Sequence, residues 1–138
     1  NQYFMPNIQS KLAKHIINFA NTSIDISDGL LTDLDKLINL QKLSYKLDLK
    51  KIPISNNLKK VLNFKKLSKI NYISHGDDYQ ILFTASKNKR RIIKKISYAY
   101  RIKLTKIGSI QSFAKKSLLI NESNKAISLK NKGYLHKF

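Results

Sequence analysis

With 138 residues, 42% of them apolar, the chain has the material for one buried core, and no apolar run approaches the ~20 residues that a membrane span requires. It has no cysteine, which excludes a disulfide framework and thiolate metal sites and points to a reducing, cytoplasmic setting. The formal charge of +19 rests on 24 Lys and three Arg, and Asn and Ile, which share A/T-rich codons with Lys, are also abundant. Codon bias therefore accounts for the charge as a solvated lysine surface, and no nucleic-acid partner is expected, although "KNKRRIIKK" (87–95) is the best candidate basic patch.

The opening "NQYFMP" reads like the middle of a longer chain, so a fragment of a larger protein is expected. Ile8, Leu12, Ile16 and Phe19 recur at helical spacing, which predicts a helix over 8–20. "SIDIS" (23–27) alternates as a half-buried strand, with Ile24 and Ile26 on one face and Asp25 and Ser27 on the other. A helix with a broad leucine stripe follows from Leu30 to about Leu43. "YKLDLK" (45–50) alternates again, and Ser55 is placed to cap a short helix carrying Leu58, Val61 and Leu62.

"DYQILFTAS" (78–86) has strand formers on both faces and is predicted to be central to a sheet. Residues 88–101 return to helical spacing, here with Ile92, Ile93 and Ile96 inward. "KLTKIGSI" and "SLLINESNKAISL" supply short strands, the second pair turning at "NESN". The mixed order predicts one α+β domain over 1–138, a mixed β-sheet covered by α-helices.

Six of the eight carboxylates fall in two places: Asp25, Asp28, Asp33 and Asp35, then Asp77 and Asp78. Asp is disfavoured within strands, and Asp25 shares its face with Ser27 just before Asp28, at a strand-to-helix turn. Oxygen donors at such a turn suit Mg²⁺, which is held by one or two carboxylates plus phosphates and water. Helix capping explains Ser27 or Asp28 as well, but does not require Asp25. Asp33 and Asp35 fall on early helical turns, where negative charge is favourable, and receive no chemical role.

"DISDG" is not a calcium loop, because the glycine is fifth rather than sixth and Lys36 stands at the twelfth position. In "SHGDDYQILFT" a solvated Gly-Asp turn competes with a functional reading, and a bare Gly-Asp-Asp is too short to indicate a polymerase. His15, His75 and His136 have no ligand spacing, and no catalytic-triad or "GxxxxGK" pattern occurs.

Together, "SIDISDGLLTDL", "HGDDYQILFT", "LTKIGSI" and the final "GYLHKF" resemble the C-terminal domain of thiamine-monophosphate kinase. That family reads approximately "IDISDGL", "GGEDYELLFT", "IG.I" and "GY.HF", in this order. The resemblance implies the fold of the aminoimidazole ribonucleotide synthetase superfamily and Mg²⁺-dependent transfer of the ATP γ-phosphoryl group to thiamine monophosphate, giving thiamine diphosphate. It implies metal binding by Asp25 and Asp28, contact of Ser27 with ATP, contact of Asp77 with substrate, and an aromatic face at Tyr134 against the cationic thiazolium ring.

In that family an N-terminal domain supplies most metal ligands and forms a homodimer, so this chain alone is expected to be inactive. Two departures bear on the carry-over. Asp77 replaces a Glu one methylene longer, with His75 in place of a glycine, and an extra residue separates His136 from Phe138. The alternatives are another enzyme of the superfamily, such as aminoimidazole ribonucleotide synthetase or selenophosphate synthetase, and a basic nucleic-acid-binding module.

Overall fold

The structure is a computed structural model that describes residues 10–38, 41–75, 79–112 and 116–127. Helix α1 (Ser10–Ile16) ends earlier than its periodicity predicts. Turns at Asn18 and Phe19, whose amides donate to His15 and Ile16, end it, and strand β1 (Ala20–Asp25) begins three residues before "SIDIS". Asn21 and Thr22 lie outside the alternating pattern that marks 23–27. Thr22 and Ser23 are extended because they pair with strand β3 (Ile81–Ala85), antiparallel, opposite Thr84 and Phe83, with Asp25 opposite Ile81, and the register shifts between Ala20 and Thr22.

Helix α2 (Leu30–Ile38) buries Leu30, Leu31, Leu34, Leu37 and Ile38. The stripe that pointed on to Leu43 belongs in part to the next element: Lys42 has φ +48°, and strand β2 (Leu43–Asp48) starts immediately after it. Asp48 closes this strand and caps a 3₁₀ turn (Leu49–Lys51), its Oδ1 accepting from the Lys50 amide at 3.1 Å. Ser55 caps helix α3 (Asn56–Lys65) as its sequence predicts, accepting from the Leu58 amide at 3.1 Å. Of the three apolar positions read there, Leu62 is buried and Leu58 half-buried, whereas Val61 is exposed.

The short helix α4 (Ile70–Ile73) is not visible in the sequence pattern. It is anchored by Lys69, a buried lysine whose ammonium donates to the Leu49 carbonyl at 2.8 Å and to that of Ile52. Burial pulls the Lys69 pKa below the ordinary lysine value. After β3, a 3₁₀ turn (Lys87–Lys89) leads into helix α5 (Arg90–Ala99). Strands β4 (Gly108–Ser112), β5 (Leu118–Ile120) and β6 (Ala126–Ile127) follow. The last two turn at "NESN" as read, with the Asn121 amide donating to the Lys125 carbonyl.

The fold is α+β with a mixed sheet and helices, as expected, and among the described residues the strands fall into two sheets. β1 and β3 make a two-stranded ribbon, and the other strands are ordered β4-β2-β5-β6, with β2 parallel to β5 and antiparallel to β4. The expectation that residues 78–86 are central to a sheet does not hold among the described residues. Among the described residues β3 pairs only with β1, and it is apolar on both faces because each face meets a different core. Leu82 and Ile24 pack on the larger cluster, built from α2, Tyr45, Leu47, Leu49 and Leu119. Ile81 and Phe83 pack on a smaller one around Leu12, Phe19 and Ile96, where the Phe19 and Phe83 rings meet edge to face at 5.2 Å. No described helix is long and apolar enough to cross a membrane.

Tyr45 ties α2 to β2. Its phenol is buried and bonded to Asp35, and burial followed by the Asp35 charge pushes its pKa from 10.0 up to about 12. A folded-state pKa above the unfolded value stabilises the fold fully below the unfolded pKa and ceases to do so as pH rises through the folded one. The Tyr45 contribution should therefore be complete below pH 10 and disappear between 10 and about 12. Urea titrations of the wild type and Tyr45→Phe across that window test this, and an identical alkaline decline in both would refute it.

Candidate functional site

The alternation of β1 does most of the positioning. Ile24 is half-buried and Ile26 buried on the core side, which leaves Asp25 and Ser27 exposed, as their sequence spacing predicts. Strand pairing extends past Asp25: the Ile26 amide donates to the Gln80 carbonyl at 2.9 Å and the Tyr79 amide donates to the Ile26 carbonyl at 3.0 Å. The chain then leaves the ribbon through Ser27, Asp28 and Gly29. Gly29 has φ +112°, and the Asp33 amide donates to its carbonyl to open α2.

Asp33, to which the sequence assigned no chemistry, organises this turn. It is fully buried, and its Oδ2 accepts from the Ser27 and Asp28 amides at 2.9 Å each. Its Oδ1 accepts from the Lys36 ammonium at 2.9 Å, and Lys36 also donates to Asp28 Oδ2. Ser27 Oγ and Asp28 Oδ1 lie 3.4 Å apart. The Lys36 pKa is raised, first by its bond to Asp28 and then by its bond to Asp33. One sequence signal marks Asp33. It lies three residues after Leu30 and four before Leu37, beside the inward leucine stripe, where a merely helix-favouring carboxylate would not be placed.

Gly29 also abuts the second acidic segment's leading flank. A Cβ at Gly29 would lie 2.6 Å from the Ser74 carbonyl oxygen and 3.2 Å from that of His75. His75 and Tyr79, the described residues on either side of 76–78, thus each adjoin the 26–29 turn. Asp77 falls within 76–78 and Tyr134 within 128–138, and both lie outside the described residues.

Asp25, Ser27 and Asp28 follow one another along the end of β1 and the turn after it, Asp25 exposed and Asp28 with a side chain 24% exposed, and Ser27 and Asp28 are the two whose side chains meet. Among the described residues no group of three or more His, Asp or Glu is placed to hold a metal ion. Two carboxylates and a hydroxyl are nevertheless hard oxygen donors. That donor set fits Mg²⁺, which takes one or two carboxylates and completes its shell with phosphates and water.

The architecture is that of the aminoimidazole ribonucleotide synthetase-like fold. The thiamine-monophosphate kinase of Stenotrophomonas maltophilia K279a superposes with a TM-score of 0.72 at 28% identity, over 80% of this chain and 35% of that one. AaThiL complexed with AMPPCP and TMP superposes with a TM-score of 0.72 at 27% identity, over 97% of this chain and 40% of that one. In sequence, the thiamine-monophosphate kinase of Buchnera aphidicola subsp. Schizaphis graminum is 38% identical over 136 residues, covering 96% of this chain and 40% of that protein. No protein-family model matches the chain. The chain belongs to the thiamine-monophosphate kinase family, as its motifs led one to expect; it matches the C-terminal part and spans about 40% of the length of the relatives it matches.

Proposed function

We propose that the chain is the C-terminal domain of a two-domain thiamine-monophosphate kinase that transfers the γ-phosphoryl group of ATP to the phosphate of thiamine monophosphate. A terminal oxygen of the substrate phosphate bonds to the γ-phosphorus, the bond from that phosphorus to the β–γ bridging oxygen breaks, and thiamine diphosphate and ADP result. The observation that carries the reading is the match along 96% of the chain to a kinase of this name.

In this reading Asp25 and Asp28 hold Mg²⁺ and Ser27 contacts the nucleotide. When bound, Mg²⁺ neutralises charge on the crowded phosphates and orients them, the main requirements of phosphoryl transfer. The chain's own contribution is positional: β1 and the Asp33 carboxylate fix the backbone from which Ser27 and Asp28 project. Asp77 contacts the substrate and Tyr134 lies against the thiazolium cation. The whole enzyme is a cytoplasmic homodimer joined through an N-terminal domain, and this 138-residue chain does not turn over alone.

Joining the chain to the N-terminal part of the Buchnera relative, in place of that protein's own matching segment, tests the proposal. The chimera should form thiamine diphosphate from ATP and thiamine monophosphate, and Asp28→Asn should lower the rate by about 100-fold or more, the scale of losing one preorganised charge contact. A folded chimera without activity, or an Asp28→Asn chimera as fast as its parent, would reject it.

A further inference from the structure

We propose that Lys36 is an exchangeable counter-ion for Asp28: its ammonium occupies the carboxylate until a divalent cation displaces it, and so sets the affinity of the turn for metal. This rests on the kinase reading only in taking Asp28 as a metal ligand.

The two carboxylates that share Lys36 are held differently. Asp33 is fully buried, and two backbone amides fix its Oδ2. Asp28 is partly exposed, and its Oδ2 receives Lys36. Lys36 is itself 46% exposed, on a flexible stem, so its head can leave Asp28 for water while the bond to Asp33 Oδ1 persists. The exchange requires no backbone movement, because the Ser27 and Asp28 amides stay on Asp33 throughout. Without any cation, Asp28 would face the Asp33 charge unscreened, so the turn needs a positive group in one form or the other. An ammonium provides that charge as a compact point donor with three hydrogens, two of which the carboxylates use here.

Metal binding therefore has to break an ion pair, and removing Lys36 should strengthen it. Mn²⁺, titrated alone into the 138-residue chain and followed by electron paramagnetic resonance, reads this directly. Lys36→Met and Lys36→Gln should bind Mn²⁺ about fivefold more tightly than the wild type, the scale of one partly exposed ion pair. Lys36→Arg should bind as the wild type does. In the Asp28→Asn background the gain should vanish.

A gain that persists in the Asp28→Asn background would reduce the effect to loss of overall positive charge and overturn the proposal. Equal affinities in wild type and both neutral variants, or no binding by those variants, would overturn it as well. A measurement without substitution is the NMR signal of the Lys36 ε-carbon, which Mg²⁺ should shift and which an unchanged spectrum at saturating Mg²⁺ would contradict. Because each readout uses metal alone, the kinase reading is decided separately, by the chimera's turnover.

Discussion

Replacing Asp33 by alanine should destabilise the chain by about 2–4 kcal/mol, the cost of taking a charged acceptor away from two part-buried amides. Both carboxylate oxygens are committed: Oδ2 to the Ser27 and Asp28 amides, Oδ1 to Lys36. Alanine leaves two amides without this acceptor, whereas the half-exposed Lys36 keeps Asp28 and water, so the unsatisfied amides account for most of the effect. Asp33→Asn separates shape from charge. Its single oxygen can still accept the two amides, but its amino group would face the Lys36 ammonium, so a loss of about 2 kcal/mol is expected. Urea denaturation gives both values from the midpoint at constant slope. Amide exchange at Ser27 and Asp28 should accelerate in step. An Asp33→Ala chain within about 1 kcal/mol of wild type would show that the network contributes no more than an exposed ion pair.

That network is also where sequence reading and structure part company. The exposed positions of Asp25 and Ser27 were legible because strand alternation is a local rule, and buried Ile26 between them leaves one solution. Ser55 was legible for the same reason, a cap being decided within four residues. The role of Asp33 depends on a reach of five and six residues back to the Ser27–Asp28 turn, which neither helix nor strand periodicity encodes.

The two-sheet arrangement was hidden by a related limit. Apolar residues on both faces of β3 say correctly that both faces are covered, but not by what, and here two separate cores do the covering rather than flanking strands. α4 was missed because four residues are too few to show a period, and the element is held by Lys69 reaching the carbonyls of Leu49 and Ile52. Lysine at a buried position runs against every compositional prior.

Gly29→Ala is expected to be the most damaging single change at the turn that does not alter charge. At φ +112° the backbone is outside the small left-handed region open to other residues, so alanine is strained there by about 1–3 kcal/mol. The added Cβ would also lie 2.6 Å from the Ser74 carbonyl oxygen, a backbone atom that cannot rotate away. Either the turn or the 74–75 segment must shift, and both are constrained. The turn is bonded to Asp33, and its preceding residue Ile26 is bonded to Gln80 and Tyr79. The strain should therefore spread along that contact, separating Ser27 and Asp28 from the flanks of 76–78.

Thermal melting should fall by about 10 °C, which corresponds to a loss of a few kcal/mol in a domain of this size. Amide exchange at Ile26 and Tyr79 should rise more than at Tyr45, which sits on the other sheet. A melting temperature within about 2 °C of wild type would mean that the turn and the 74–75 segment are free to move apart. Their proximity could then not be what holds the 26–29 turn against the residues that flank 76–78.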